Sequence, residues 1–132
     1  MAASSYAENK IIDHLLGTTL FTKPTTVYVG LCSDAAPDAN TFTEVDTPGS
    51  HGYARQACTW NASSSGAATN ITALTFGPCA TTPWAQLRGF GVFDNLTAGN
   101  LLTQGALTDQ TKTVGVGDSS TVAAGALTIT CT

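Results

Sequence analysis

The first thirty residues of the chain change hydrophobic period once. Between Tyr6 and Leu16 the apolar positions recur at helical spacing. Ala7, Ile11 and Leu15, with Ile12 and Leu16, share one face, while Glu8, Asn9, Lys10 and Asp13 share the other. This predicts an amphipathic helix over about 6–16. Ser5 and Glu8 have the spacing of a capping box, in which the Ser hydroxyl accepts from the amide of Glu8 and the Glu carboxylate accepts from the amide of Ser5. Gly17 supplies the left-handed residue that ends the helix. After Pro24 the period falls to two, because Val27, Val29 and Leu31 alternate with Tyr28, Gly30 and Cys32. That is the pattern of a half-buried strand.

Further strands are predicted near 53–61, 71–76, 87–94, 101–104, 112–116 and 121–131. Corners such as Ser63-Ser64-Ser65-Gly66 and Val116-Gly117-Asp118-Ser119 separate them. Seven or so short strands at this spacing imply a mainly β fold, an antiparallel β-sandwich or jelly-roll-like barrel over about 26–131, with one N-terminal α-helix. Residues 33–52 are rich in Asp, Ala, Pro, Thr and Gly, and Pro37 and Pro48 lack amide donors, so this stretch reads as a long surface loop. No internal repeat, heptad or linker interrupts the pattern. At 132 residues the chain 1–132 is expected to be one domain, large enough to fold without a metal or cofactor.

Charge narrows the function. Only 11% of residues are charged, against about 25% in an average soluble domain, a surface suited to being covered by other protein. The five cations, Lys10, Lys23, Arg55, Arg88 and Lys112, are scattered and the net charge is −4. Phosphate binding needs clustered cations, so no nucleic acid partner is expected. No apolar run has the length of a membrane span, and the opening Met1-Ala2-Ala3-Ser4-Ser5 lacks the regions of a signal peptide. The expectation is a protein made in the cytoplasm, with no membrane partner.

Candidate chemistry is sparse. Cys32, Cys58, Cys79 and Cys131 contain no C-x-x-C pair, which argues against zinc. Two readings of them stand side by side: small buried hydrophobes, or disulfides within or between chains once the protein leaves the reducing cytosol. His14 falls beside the polar face of the helix and His51 in a Gly-flanked turn, and neither has a nucleophile and orienting group in a recognisable motif. Asp34, Asp38, Glu44 and Asp46 crowd the long loop without the spacing of a calcium loop, and read as solvated acids. Asn61, Asn70 and Asn95 head glycosylation sequons that a Ser- and Thr-rich chain generates by chance. No cofactor and no enzymatic activity are expected. Trp60 is assigned to the core and Trp84, beside Pro83, to either core or contact surface.

Several segments in order carry a family resemblance: 9–17 (NKIIDHLLG), 26–31 (TVYVGL), 53–56 (YARQ), 89–94 (GFGVFD), 99–102 (GNLL), 105–107 (GAL) and 123–130 (AAGALTIT). Together they resemble a family of small tailed-bacteriophage virion proteins, usually labelled tail fibre or head decoration proteins, over about 6–130. The resemblance implies a non-enzymatic virion structural protein. Within it, the low charge and the absence of a fibre shaft favour a capsid decoration or cement protein that bridges capsid subunits. The alternative is a tail fibre, tail appendage or adaptor protein contributing to host receptor binding. The implied partners are the major capsid protein or other virion proteins, and further copies of the chain, with a trimer as one option. The candidate contact surface is Asp34, Asp38, Phe42, Glu44, His51 and Trp84.

Overall fold

The alternating segment after Pro24 becomes the middle of the main sheet. The structure, a computed structural model, describes residues 2–34 and 42–131. In chain order its elements are β1 (Ala2–Ala3), α1 (Ser5–Leu15), β2 (Val27–Cys32), β3 (Gln56–Cys58), β4 (Ala67–Thr69), β5 (Leu74–Phe76), β6 (Gly89–Phe93), β7 (Leu101–Ala106), β8 (Ser120–Val122) and β9 (Thr128–Thr130). Five strands form an antiparallel sheet in the order β1-β7-β6-β2-β3, and β4–β9 and β5–β8 form two separate antiparallel pairs.

Register decides what each face of the five-stranded sheet does, since directly opposed residues of an antiparallel pair share a face. Val29 opposes Val92 and Leu31 opposes Phe90, and these four enter the core with Leu74, Phe76, Tyr53, Trp84, Leu87, Val114 and Leu127. On the other face Gly30 opposes Gly91, Cys32 opposes Gly89 and Tyr28 opposes Phe93. A β-carbon on Gly30 would stand 2.8 Å from Glu44 Oε1, and one on Gly91 would stand 2.7 Å from the Phe42 ring. The glycines therefore let a second layer of chain lie directly on the sheet.

The mainly β fold with one N-terminal helix is present, but among the described residues there is no closed barrel or jelly roll. Strands β3, β4, β5, β8 and β9 have three residues each, too short a ladder to continue around a closed wall. Buried residues outside strands, including Val45, Cys79, Trp84 and Val114, complete the core instead. Two expected strands change accordingly. Residues 112–116 are irregular, although the Lys112 and Val114 carbonyls accept from the amides of Leu87 and Trp84. The stretch 121–131 divides at Gly125, whose φ of +78° makes a turn between β8 and β9. The expected surface loop 33–52 also departs from expectation where it is described, because Val45 is buried and Glu44 bridges to Cys32.

The helix begins one residue earlier than its spacing suggests. Ser4 is the N-cap: its Oγ accepts from the Ala7 amide at 3.2 Å and donates to the Leu101 carbonyl, and its own amide donates to Leu102. Attachment to β7 thus selects Ser4 over Ser5, and the predicted Ser5–Glu8 capping box gives way. The other end follows expectation. Gly17 has φ +74°, and Thr18 and Gly17 donate back to the Asp13 and His14 carbonyls in a Schellman motif. The apolar face does not pack as its periodicity implies. Ala7 is the buried residue of α1, while Ile11, Ile12, Leu15 and Leu16 are exposed.

These positions separate cap from stripe. Ser4→Ala is expected to lower stability by about 1 kcal/mol through loss of the cap. Ile11→Asp and Leu15→Asp, on exposed sites, should change the stability of the dilute chain by no more than about 0.5 kcal/mol. Urea denaturation of the three variants checks both; a large loss in Leu15→Asp would mean that this face is packed within the chain.

Candidate functional site

The site grows from a gap in a ladder. β3 covers the edge of β2 only from Val27 to Val29. Beyond it, residues 43–45 take over: Ser33 donates to Thr43 O and Val45 donates to Leu31 O. The Leu31 amide is met by a side chain, donating to Tyr53 Oη at 2.9 Å. That hydroxyl donates in turn to Glu44 Oε1 at 2.8 Å. Arg55 holds the same carboxylate with both arms of its fork, Nε to Oε1 at 3.0 Å and Nη2 to Oε2 at 2.9 Å, the strong bidentate arrangement.

Arg55 also reaches the hairpin between β6 and β7. Its Nη1 donates to the carbonyls of Asn95 and Ala98 at 3.0 and 2.7 Å. Its guanidinium carbon lies 3.5 Å from the centre of the Phe93 ring, a cation–π contact, and Phe42 meets that ring edge-on at 5.3 Å. The hairpin loop is self-braced as well: Asp94 accepts from the backbone and side-chain nitrogens of Asn100, and Ala98 and Gly99 adopt positive φ. A β-carbon on Gly99 would come within 2.5 Å of Asp94 Oδ1, so glycine is needed for the loop to close.

Together these parts bound a cleft of about 390 Å³ lined by Ser4, Tyr6, Phe42, Glu44, Arg55, Phe93 and the loop 99–101. The side chains of Arg55 and Glu44 are only 6% and 14% exposed. Burial, and then the charge of Glu44, push the ionisation of Tyr53 far above its ordinary value. The carboxylate is held by a hydroxyl and a guanidinium. This geometry pre-organises a surface; it does not activate a nucleophile.

The predicted contact residues separate. Phe42 and Glu44 line the cleft. Asp34 accepts from the Thr43 amide at 2.7 Å, at the base of the loop, and Asp38 lies outside the described residues. His51 stands apart from the cleft lining, with Nδ1 2.7 Å from Asp46 Oδ2. Trp84 is corrected to a core residue: it is 4% exposed and donates its indole N–H to the His51 carbonyl. Within the chain, three of the cysteines follow the reading as small buried hydrophobes. All four cysteines are free thiols, with Cys32, Cys58 and Cys79 buried and Cys131 exposed. Burial pushes Cys32 up from its ordinary 9.0 to about 11 and raises Cys58 in the same direction.

Tyr53 and Arg55 were missed as site residues. Their signal was an Arg two positions from a Tyr in an alternating segment of a chain with few cations. Asn70, read as part of a chance sequon, is 1% exposed and structural. Its amide nitrogen donates to the Thr72 and Ala123 carbonyls and its oxygen accepts from Leu127. Among the described residues no group of three His, Cys, Asp or Glu is placed to hold a metal ion, and no helix is long and apolar enough to cross a membrane.

The fold and site are a mainly antiparallel β body with a capped helix and a cleft whose charges are paired with one another. The chain is a member of the Gp80 family, described as Podophage GP4 fiber I protein gp80, whose model matches residues 2–130. No curated protein matches it. The chain is thus a non-enzymatic structural protein of the phage virion.

Tyr53→Phe should destabilise the chain by about 1–3 kcal/mol, since it strands the Leu31 amide. Arg55→Ala should cost about 3–5 kcal/mol by leaving Glu44 buried and unpaired. Denaturant melts that ranked Tyr53→Phe above Arg55→Ala would contradict this order. For the thiols, the native protein at pH 8 should react with a thiol reagent at Cys131 first, and at the buried three only on unfolding. Because the folded chain keeps the Cys32 proton to about pH 11, while the unfolded chain releases it near 9, stability is complete below pH 9 and should fall as pH rises from 9 to 11. The fall should be smaller in Cys32→Ala.

Proposed function

We propose that the chain is a component of a tail fibre or tail appendage and contributes to binding the host receptor. The observation that carries this reading is membership, over residues 2–130, in a family described by a fibre protein. It favours the appendage over the head decoration role that low charge and the lack of a shaft suggested. Those two features remain compatible with it: a chain without repeats serves as a compact module on an appendage whose length other proteins supply.

The cleft around Glu44 and Arg55 is the proposed contact surface. It combines aromatic walls from Tyr6, Phe42 and Phe93 with a desolvated ion pair held rigid by the hairpin loop. A recess with apolar walls and a few fixed polar groups recognises a ligand without first having to order itself.

Particles lacking the chain should lose adsorption to host cells while their heads release DNA at the same temperature as wild type. Phe42→Ala and Tyr6→Ala particles, which keep the chain on the virion, should adsorb more weakly. Normal adsorption with heads that open at lower temperature would instead establish decoration of the capsid.

A further inference from the structure

We infer that the exposed apolar stripe of α1 is the surface through which copies of this chain associate with one another. Ile11 and Ile12 are 46% and 53% exposed, and Leu15, Leu16 and Leu20 are 76%, 74% and 76% exposed. Isolated exposed aliphatics are ordinary on a protein surface, but five within the ten residues 11–20 are not. Elsewhere among the described residues the exposed large aliphatics are Ile71, Leu96 and Val116, from separate segments.

The stripe arises because the helix is held by its first turn alone. Ser4 fastens it to β7, Ala7 is its buried residue, and the contacts of α1 with other elements are those with β7 and β1. At about 100° per residue, Ala7 projects at one margin of the apolar sector, and Ile11, Leu15, Ile12 and Leu16 sweep about 180° away from it. The sequence therefore builds an apolar face wider than its own sheet uses. The Schellman cap then fixes the return of the chain, and the Phe21 amide donates to His14 Nδ1 at 3.3 Å.

Size and chemistry select the occupant. At the exposures given, the five side chains present on the order of 500 Å² per copy, near the largest apolar patch of a typical monomer. Two such faces pressed together remove roughly 1,000 Å², which with their polar rims reaches the range of a specific interface. The last two turns of the stripe contain only Ile and Leu. Glu8, exposed one turn earlier, borders them, but the complement of the aliphatic part is a second aliphatic face, which another copy supplies. This inference goes beyond the proposed receptor role and does not depend on it.

Sedimentation equilibrium of the purified full chain, from about 1 to about 100 μM, tests the inference. Wild type should sediment as a multiple of the single-chain mass. Leu15→Lys and Ile12→Lys should be monomeric, with unchanged circular dichroism because neither side chain is buried. Ile71→Lys, the same change of chemistry on an exposed isoleucine outside the helix, should leave the oligomer intact. In a Cys131→Ser background, Leu15→Cys should yield covalent dimers under mild oxidation. A monomeric wild type would overturn the inference and point to a different virion protein as the occupant. An oligomer that survives Leu15→Lys and Ile12→Lys would overturn it equally. Adsorption of particles, measured separately, reports on the receptor reading alone.

Discussion

The ion pair between Arg55 and Glu44 is the constraint on which the functional face depends. A buried pair is stabilising only when the remaining valences of both ions are met, and here the surrounding structure is arranged to meet them. Tyr53 donates to Glu44, the carbonyls of Asn95 and Ala98 accept from Arg55, and Phe93 offers its ring to the guanidinium. Two segments distant in sequence, the stretch at Glu44 and the hairpin between β6 and β7, are thereby held by one side chain. Tyr53 links this network to the core as well, since its ring packs edge-on against Trp84 and stacks with Phe76 while its hydroxyl fills the ladder at Leu31.

The network can lie where it does because the sheet beneath it is paved with glycine. Gly30 and Gly91 oppose one another across β2 and β6, and a side chain on either would occupy the space taken by Glu44 or Phe42. The cost is a strand with little side-chain packing of its own on that face, offset by the layer of chain that packs onto it. The order of the sheet and the shape of the cleft share a cause here: the groups that complete the sheet also form the walls of the cleft.

The helix follows a different logic. Its attachment is local, through the Ser4 cap and the two-residue strand β1, and its apolar stripe faces outward. Helices of this length draw their stability from the packing of an apolar face. The stripe has no partner among the described elements of its own chain, whose contacts with α1 are those of β7 and β1.

How much of this was legible in the chain follows from the range of each interaction. Residues 6–16 and 27–31 announced a helix and a strand because their periods are local, and Gly17 announced the helix stop because only glycine takes a left-handed turn without penalty. The mainly β class and the lack of catalytic chemistry were legible for the same reason. What tertiary structure alone decided is wherever two distant segments compete for one group. The Leu101 carbonyl and Leu102 moved the N-cap from Ser5 to Ser4, the core claimed Trp84 and Val45, and the strand expected at 112–116 gave its carbonyls to residues 84–87 without joining a sheet. Amphipathicity fixed which face of α1 is apolar, but could not say whether that face turns inward, because periodicity records the need for a partner and not where the partner stands. Arg55 and Glu44, eleven residues apart and unremarkable in composition, became a site only when the edge of β2 brought residues 43–45 beside Tyr53.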